Sequence, residues 1–332
     1  MREVLRGAVL SGPDTCAVTA TASRRVAPAH GVRGLMLVSS AGVVWGTIGP
    51  AVQLVHERSG LSAWTISAYR PITAVLALAV ACVVARRLDS CLVLVRLQWR
   101  RMLATGLATA AFQLLFFLAV VATGVSIATV IALGSAPVLL LVVDSVQRRR
   151  APGLPQVLTV TAALVGLGLV SAAGGGGEAT HATLGILAAL GSGTAYAVAT
   201  HAGAPLSREH DALAVTTATT LVVAAVLVPG GFLVARVHGD PTATTDTGTW
   251  LALAYLGVVT MAFAYVLLYA GLRSTTSGSA VVATLLEPVT AVLIAIVLLG
   301  ERPTAAAVVG MLLILGAITS LGRRGDAEPA AQ

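Results

Sequence analysis

Leu285–Pro303, LLEPVTAVLIAIVLLGERP, sets one carboxylate and one internal proline inside an otherwise apolar run. Glu287 is the only acidic residue of the chain that falls well inside a hydrophobic segment. An ionised carboxylate in hydrocarbon costs about 2.5 to 3.5 kcal/mol on insertion scales for the comparable Asp, so such a residue faces a cavity, a partner or a proton. Pro288 removes a backbone donor and frees the carbonyl of Thr284. A membrane helix tolerates that loss where neighbouring groups or cavity water satisfy the carbonyl.

The rest of the chain has the same character. Hydrophobic residues make up 57% of the 332 positions and charged residues only 11%, against about 25% charged in soluble domains. The mean hydropathy is +0.90. A hydrocarbon core about 30 Å thick needs roughly 20 apolar residues per helix, and apolar runs of that length recur almost without pause. They give an all-α polytopic membrane protein with ten transmembrane helices, expected near 35–56, 63–85, 102–122, 126–146, 154–172, 183–203, 212–235, 249–271, 277–299 and 303–321. Residues 1–32 and 323–332 read as cytoplasmic tails, the first disordered.

The formal charge of +7 comes from 21 basic residues, all arginine. Their placement argues for membrane topology and against a nucleic-acid partner. Arg86, Arg87, Arg96, Arg100 and Arg101 lie between spans two and three, and Arg148, Arg149 and Arg150 between spans four and five. The positive-inside rule makes both loops cytoplasmic. Ten spans then put both termini in the cytoplasm, with 17 arginines inside and 3 outside. The expected location is the cell membrane. Cys82 and Cys91 are not placed for an extracellular disulfide, and no metal or cofactor motif occurs, so none is expected.

The two halves superpose at a constant offset of 151 positions without a gap. Trp99 meets Trp250, Gly106 meets Gly257, and Thr109-x-Ala111-Phe112 meets Thr260-x-Ala262-Phe263. Pro137 answers Pro288, Pro152 answers Pro303, and Trp45 answers Tyr196. Five spans per half is an odd number, so the second half enters the membrane from the opposite side and the repeat is inverted in topology. The halves are expected at 33–172 and 183–322, joined by a glycine-rich external linker at 173–182. Inverted repeats place substrate near the bilayer midplane between them.

The ten-span, five-plus-five plan, VVWGTIGPAV at 43–52, SAYRP at 67–71 and LLEPVTAVLIAIVLLGERPTAAAVVGMLLILGAI at 285–318 resemble the EamA group of the drug/metabolite transporter superfamily. The resemblance implies a ten-helix carrier of a small-molecule substrate, often an exporter of amino acids or drug-like compounds, with a cavity between the halves.

Glu287 lies about ten residues into span nine, roughly 15 Å deep. It reads either as a cavity carboxylate that binds a cationic group or exchanges a proton for coupling, or as a fixed partner that locks span nine to its neighbour. Arg70, about seven residues below the outer end of span two, offers a planar fork to a substrate carboxylate. Its alternative is snorkelling or a structural pair. Trp45, Thr47, Tyr69, Gln113, Tyr196, Thr200, Tyr265 and Tyr269 are further substrate-binding candidates, or else packing residues with one satisfied polar tip. Pro137 and Pro288 are both expected to interrupt a helix near its middle, as gating kinks or fixed bends. Glu301 reads as a helix-start residue, and Glu178 and His181 as solvated linker residues.

The expected function is a secondary transporter exporting a small organic metabolite, an amino acid or related compound. The alternative is proton-coupled efflux of drug-like or cationic compounds. An enzyme is not expected, since HExxH, GxSxG and GxxxxGK[ST] are absent. A channel lacks its ring of charge or carbonyls, and a purely structural role leaves the buried carboxylate without a purpose.

Overall fold

Hydroxyl and carboxylate side chains open several spans by accepting a backbone N–H of the first turn. Ser62 accepts from Thr65, Asp211 from Leu213, Asp246 from Thr249 and Thr276 from Ser279. The computed structural model describes residues 29–173, 182–299 and 302–327, and all of its regular elements are helical. Ten segments are long and apolar enough to cross a membrane: Gly31–Ser59, Ala63–Val84, Leu88–Thr123, Val125–Arg148, Leu154–Ala172, Ala182–Glu209, Ala212–His238, Thr247–Leu272, Ser277–Val297 and Ala305–Arg323. These are spans one to ten. Glu178, His181, Glu301, most of the linker, most of the first tail and half of the second lie outside the described residues.

Packing obeys the repeat. Span two packs on span seven and span five on span ten, each joining equivalent helices of the two halves. Span three packs on span six as span eight packs on span one. Span four meets span six as span nine meets span one. Exchanging the halves therefore leaves these principal pairings unchanged, as two inverted five-helix repeats require. The match reaches single residues. A methyl at Gly42 would press on the backbone of Ala283 and Thr284, and one at Gly193 on the carbonyl of Ala132, the repeat equivalent of Ala283. Both glycines permit the same close helix crossing.

Four departures from even helices are not foreseen by hydropathy. Span one is broken at Gly46–Thr47. Span eight contains a π-helical segment, Val258–Phe263. Span nine is broken at Leu285, whose N–H turns back to the Val282 carbonyl at 3.1 Å. Span three continues backwards as helix through the expected loop at 86–101, with non-helical backbone at Gln98 (φ −124°, ψ 23°). The two prolines also differ. Span nine breaks beside Pro288, whereas span four stays helical from Val125 to Arg148 with Pro137 inside it.

Cys82 and Cys91 are free thiols with their sulfurs 3.6 Å apart. That contact exists because residues 88–97 fold back as a helix on the end of span two.

Candidate functional site

The breaks in spans one and nine touch each other. Gly46 has no side chain, and a methyl there would collide with the Glu287 carbonyl and Thr290. One residue earlier Trp45, 7% exposed, donates its indole Nε1–H to the Thr260 carbonyl at 2.9 Å. Thr260 lies in the π-helical segment, where the usual i→i−4 ladder is displaced and a carbonyl can take a side-chain donor. The Thr260 hydroxyl accepts from Arg70 Nη2 at 3.4 Å, a long bond. Thr260 thus ties spans one, two and eight at one point.

Arg70 is 7% exposed, and its Nε has no acceptor among the described residues. A buried donor left in this state costs about 1 to 3 kcal/mol, more when charged. Glu287 sits within electrostatic reach of Arg70, yet the two do not close into an ion pair among the described residues. Glu287 is half-buried, and no described residue donates a hydrogen bond to its carboxylate. The repeat equivalents are Ala136 for Glu287 and Leu221 for Arg70, so both charges occur in one half-site only.

Beside these charges is a tight cleft of about 10 Å³, room for about one water, lined by Thr109, Phe112, Tyr196, Ala199, Thr200, Tyr265, Leu268 and Tyr269. The Tyr196 and Phe112 rings stack at 4.9 Å. Thr284 gives its own proton to the Val281 carbonyl, so Tyr196 donates its hydroxyl to Thr284, at 2.9 Å. Tyr265 meets Trp45 edge to face at 5.3 Å and Tyr269 at 6.2 Å. Tyr269 is 2% exposed with its hydroxyl beside Thr109 and Thr219. Thr200 lines the cavity but commits its hydroxyl to the Tyr196 carbonyl at 2.9 Å. Tyr265 differs from these, because no hydrogen bond holds its hydroxyl among the described residues.

The candidates therefore divide. Trp45, Arg70, Tyr196, Thr200, Tyr265, Tyr269 and Glu287 gather at or beside the cavity. Thr47 and Tyr69 do not line it. Thr47 bonds the Tyr255 hydroxyl at 2.7 Å. Tyr69 donates to the Thr242 carbonyl at 2.9 Å, between the rings of Phe232 and Trp250 at 5.2 Å each. Gln113 is buried in span three, and its Nε2 has no acceptor among the described residues. Pro288 adjoins Glu287, and Pro137 is buried inside span four. Thr260, Thr284, Thr109 and Phe112 are not among the expected site residues. The one signal for three of them was the Thr-x-Ala-Phe pair on the repeat register.

The EamA-like transporter family model matches this chain twice, over residues 32–172 and 183–323. The chain is 26% identical over 280 residues to the uncharacterized transporter YwfM of Bacillus subtilis (strain 168), covering 84% of this chain and 90% of that protein. A protein solved by crystallography matches its fold with a TM-score of 0.72 at 18% identity, over 88% of this chain and 98% of that one. With its multi-pass fold and two copies of the family's repeat, the chain belongs to the EamA-like transporter family.

Proposed function

We propose that this chain is a secondary transporter that exports a small organic metabolite, an amino acid or a related compound, by alternating access of the halves 33–172 and 183–322. One observation carries this reading: two opposite charges, Arg70 and Glu287, lie within reach of each other beside an aromatic cavity without pairing. A zwitterion matches both. Its carboxylate meets the guanidinium fork of Arg70, its ammonium meets Glu287, and the rings of Tyr265 and Trp45 supply an apolar wall. The unclaimed Tyr265 hydroxyl is a third polar handle. Binding then supplies the acceptor that Arg70 Nε lacks, which favours the loaded, closed form. Pro288 beside the break in span nine is the bending point, and Pro137 is its counterpart in the other half.

A second reading, proton-coupled efflux of cationic compounds, is favoured by the absence, among the described residues, of any hydrogen bond to the Glu287 carboxylate. A carboxylate free of fixed donors can exchange a proton with a cation. The two readings separate at Arg70, which a cation does not need. In proteoliposomes Glu287→Gln is expected to abolish concentrative transport and its pH dependence. Arg70→Lys is expected to lower uptake of zwitterions at least tenfold, since a point charge loses the bidentate geometry. Wild-type behaviour of Glu287→Gln removes the coupling role, and wild-type behaviour of Arg70→Lys removes the carboxylate clamp.

The proposed orientation puts both termini and residues 86–101 in the cytoplasm of a cell-membrane protein, following the arginine distribution.

A further inference from the structure

Span three is longer than a bilayer requires. At about 1.5 Å per residue, the 36 residues of Leu88–Thr123 extend about 54 Å, against a hydrocarbon core of about 30 Å. The non-helical backbone at Gln98 divides the helix, and the residues after Arg101 suffice for the crossing. Leu88–Leu97 is left as a separate helical segment at the membrane edge.

The faces of that segment have different jobs. Cys91, Leu94 and Gln98 hold it to the bundle: Cys91 meets Cys82, Leu94 is fully buried in the core, and Gln98 donates Nε2–H to Glu209 at 3.0 Å. On another face Leu88, Leu92 and Val95 recur at helical spacing and are 51%, 54% and 39% exposed, and Trp99, just past the break at Gln98, is 50% exposed. Arg86 and Arg87 precede the segment, and Arg96 and Arg100 flank the apolar stripe. Arg101 pairs with Glu209 at 3.4 Å, but no described carboxylate pairs with the other four arginines. Asp89 is the sole acidic residue between 86 and 101. The Arg100 guanidinium lies over the Trp99 ring, 5.3 Å from its centre, so cationic charge sits against the face of the indole.

An amphipathic helix of this kind, with an apolar stripe, flanking arginines and a tryptophan, lies in the interface plane with its charge at headgroup level. The equivalent stretch of the second half is not helical between Asp240 and Asp246, so the repeat does not dictate the feature. We propose that Leu88–Trp99 lies in the membrane interface and that Arg86, Arg87, Arg96 and Arg100 form a binding surface for anionic phospholipid headgroups. Phosphodiester oxygens accept from the guanidinium forks, while Leu88, Leu92 and Val95 rest among the upper acyl segments. Because the segment is fixed to span two through Cys91 and to the end of span six through Gln98 and Arg101, bound lipid anchors both halves at one edge.

The test uses the full chain purified in neutral detergent, with lipid retention measured by native mass spectrometry during titration with phosphatidylglycerol or phosphatidylcholine. The wild type is expected to prefer phosphatidylglycerol, and the preference is expected to fall as salt rises. Arg86→Gln, Arg87→Gln, Arg96→Gln and Arg100→Gln combined are expected to weaken phosphatidylglycerol binding about tenfold or more and leave phosphatidylcholine binding unchanged. Neutralising Arg148, Arg149 and Arg150 instead is expected to leave both unchanged. Should the fourfold variant lose its wild-type thermal midpoint, the pairs Arg86→Gln/Arg87→Gln and Arg96→Gln/Arg100→Gln serve in its place. Undiminished phosphatidylglycerol binding in the folded variants overturns the proposal, as does an equal loss on neutralising Arg148–Arg150.

Discussion

Gln113 and Arg70 each bury an N–H for which the described residues provide no acceptor. An amide in that state weakens the fold, since its desolvation is uncompensated. Gln113→Leu is therefore expected to raise the thermal midpoint in detergent, recovering about 1 to 3 kcal/mol; a lowered midpoint means that the amide is satisfied by water and belongs to a wet cavity. Arg70 and Glu287 were legible in the sequence for a physical reason. A charge inside an apolar run stands out against its surroundings, and its cost demands a purpose. Thr260 was not legible in this way. Threonine is common in membrane helices and satisfies its own hydroxyl locally, as Thr260 does on the Leu256 carbonyl. Its distinguishing property, a carbonyl turned to Trp45, arises from the π-helical backbone and has no side-chain signature. Thr47 and Tyr69 lie away from the cavity, since polar groups in a span are as readily engaged by a loop carbonyl or a neighbouring hydroxyl.

At the scale of elements, span limits followed hydropathy wherever a cap or turn coincides with the end of an apolar run. Asp246 shows what such a cap does. It accepts from the Thr249 N–H at 2.6 Å and the Thr249 hydroxyl at 2.8 Å, with Arg58 nearby. These hydrogen bonds, that of the Thr249 side chain foremost, hold its carboxyl below the usual aspartate value. A depressed folded value means that the carboxylate stabilises the protein above the ordinary aspartate range, and that this contribution disappears as pH falls through the depressed value. Asp246→Asn is expected to lower the thermal midpoint at neutral pH, with the gap from wild type closing in acid; a gap independent of pH removes the charge from the account. The helix at 88–97 escaped the sequence reading because its arginines lower the hydropathy of a segment whose amphipathic pattern is helical. The break at Gly46–Thr47 escaped it because isolated glycines in membrane helices more often mark close packing than interruption.

For the molecule as a whole, the odd number of spans per half was decisive, because it converts a repeat visible in Trp, Phe and Pro matches into an inverted one. Its orientation is checked by single-cysteine labelling in a cysteine-free background. A cysteine at Leu97 is expected to react with a membrane-impermeant maleimide only after permeabilisation, and one at His238 to react in intact cells; the reverse pattern inverts the topology. On the proposed alternating-access function, the principal pairings that survive exchange of the halves also bear on where the empty carrier rests. Were the halves identical, its inward-open and outward-open forms would be images of each other and equally populated. Groups that break the exchange tip that balance, among them Glu287 against Ala136, Arg70 against Leu221, and interrupted span nine against continuous span four. A net difference of about 1.4 kcal/mol among them leaves ten carriers waiting on one side for each on the other. On the proposed function, the residues assigned to the cargo are then also the weights that set the default side of the door.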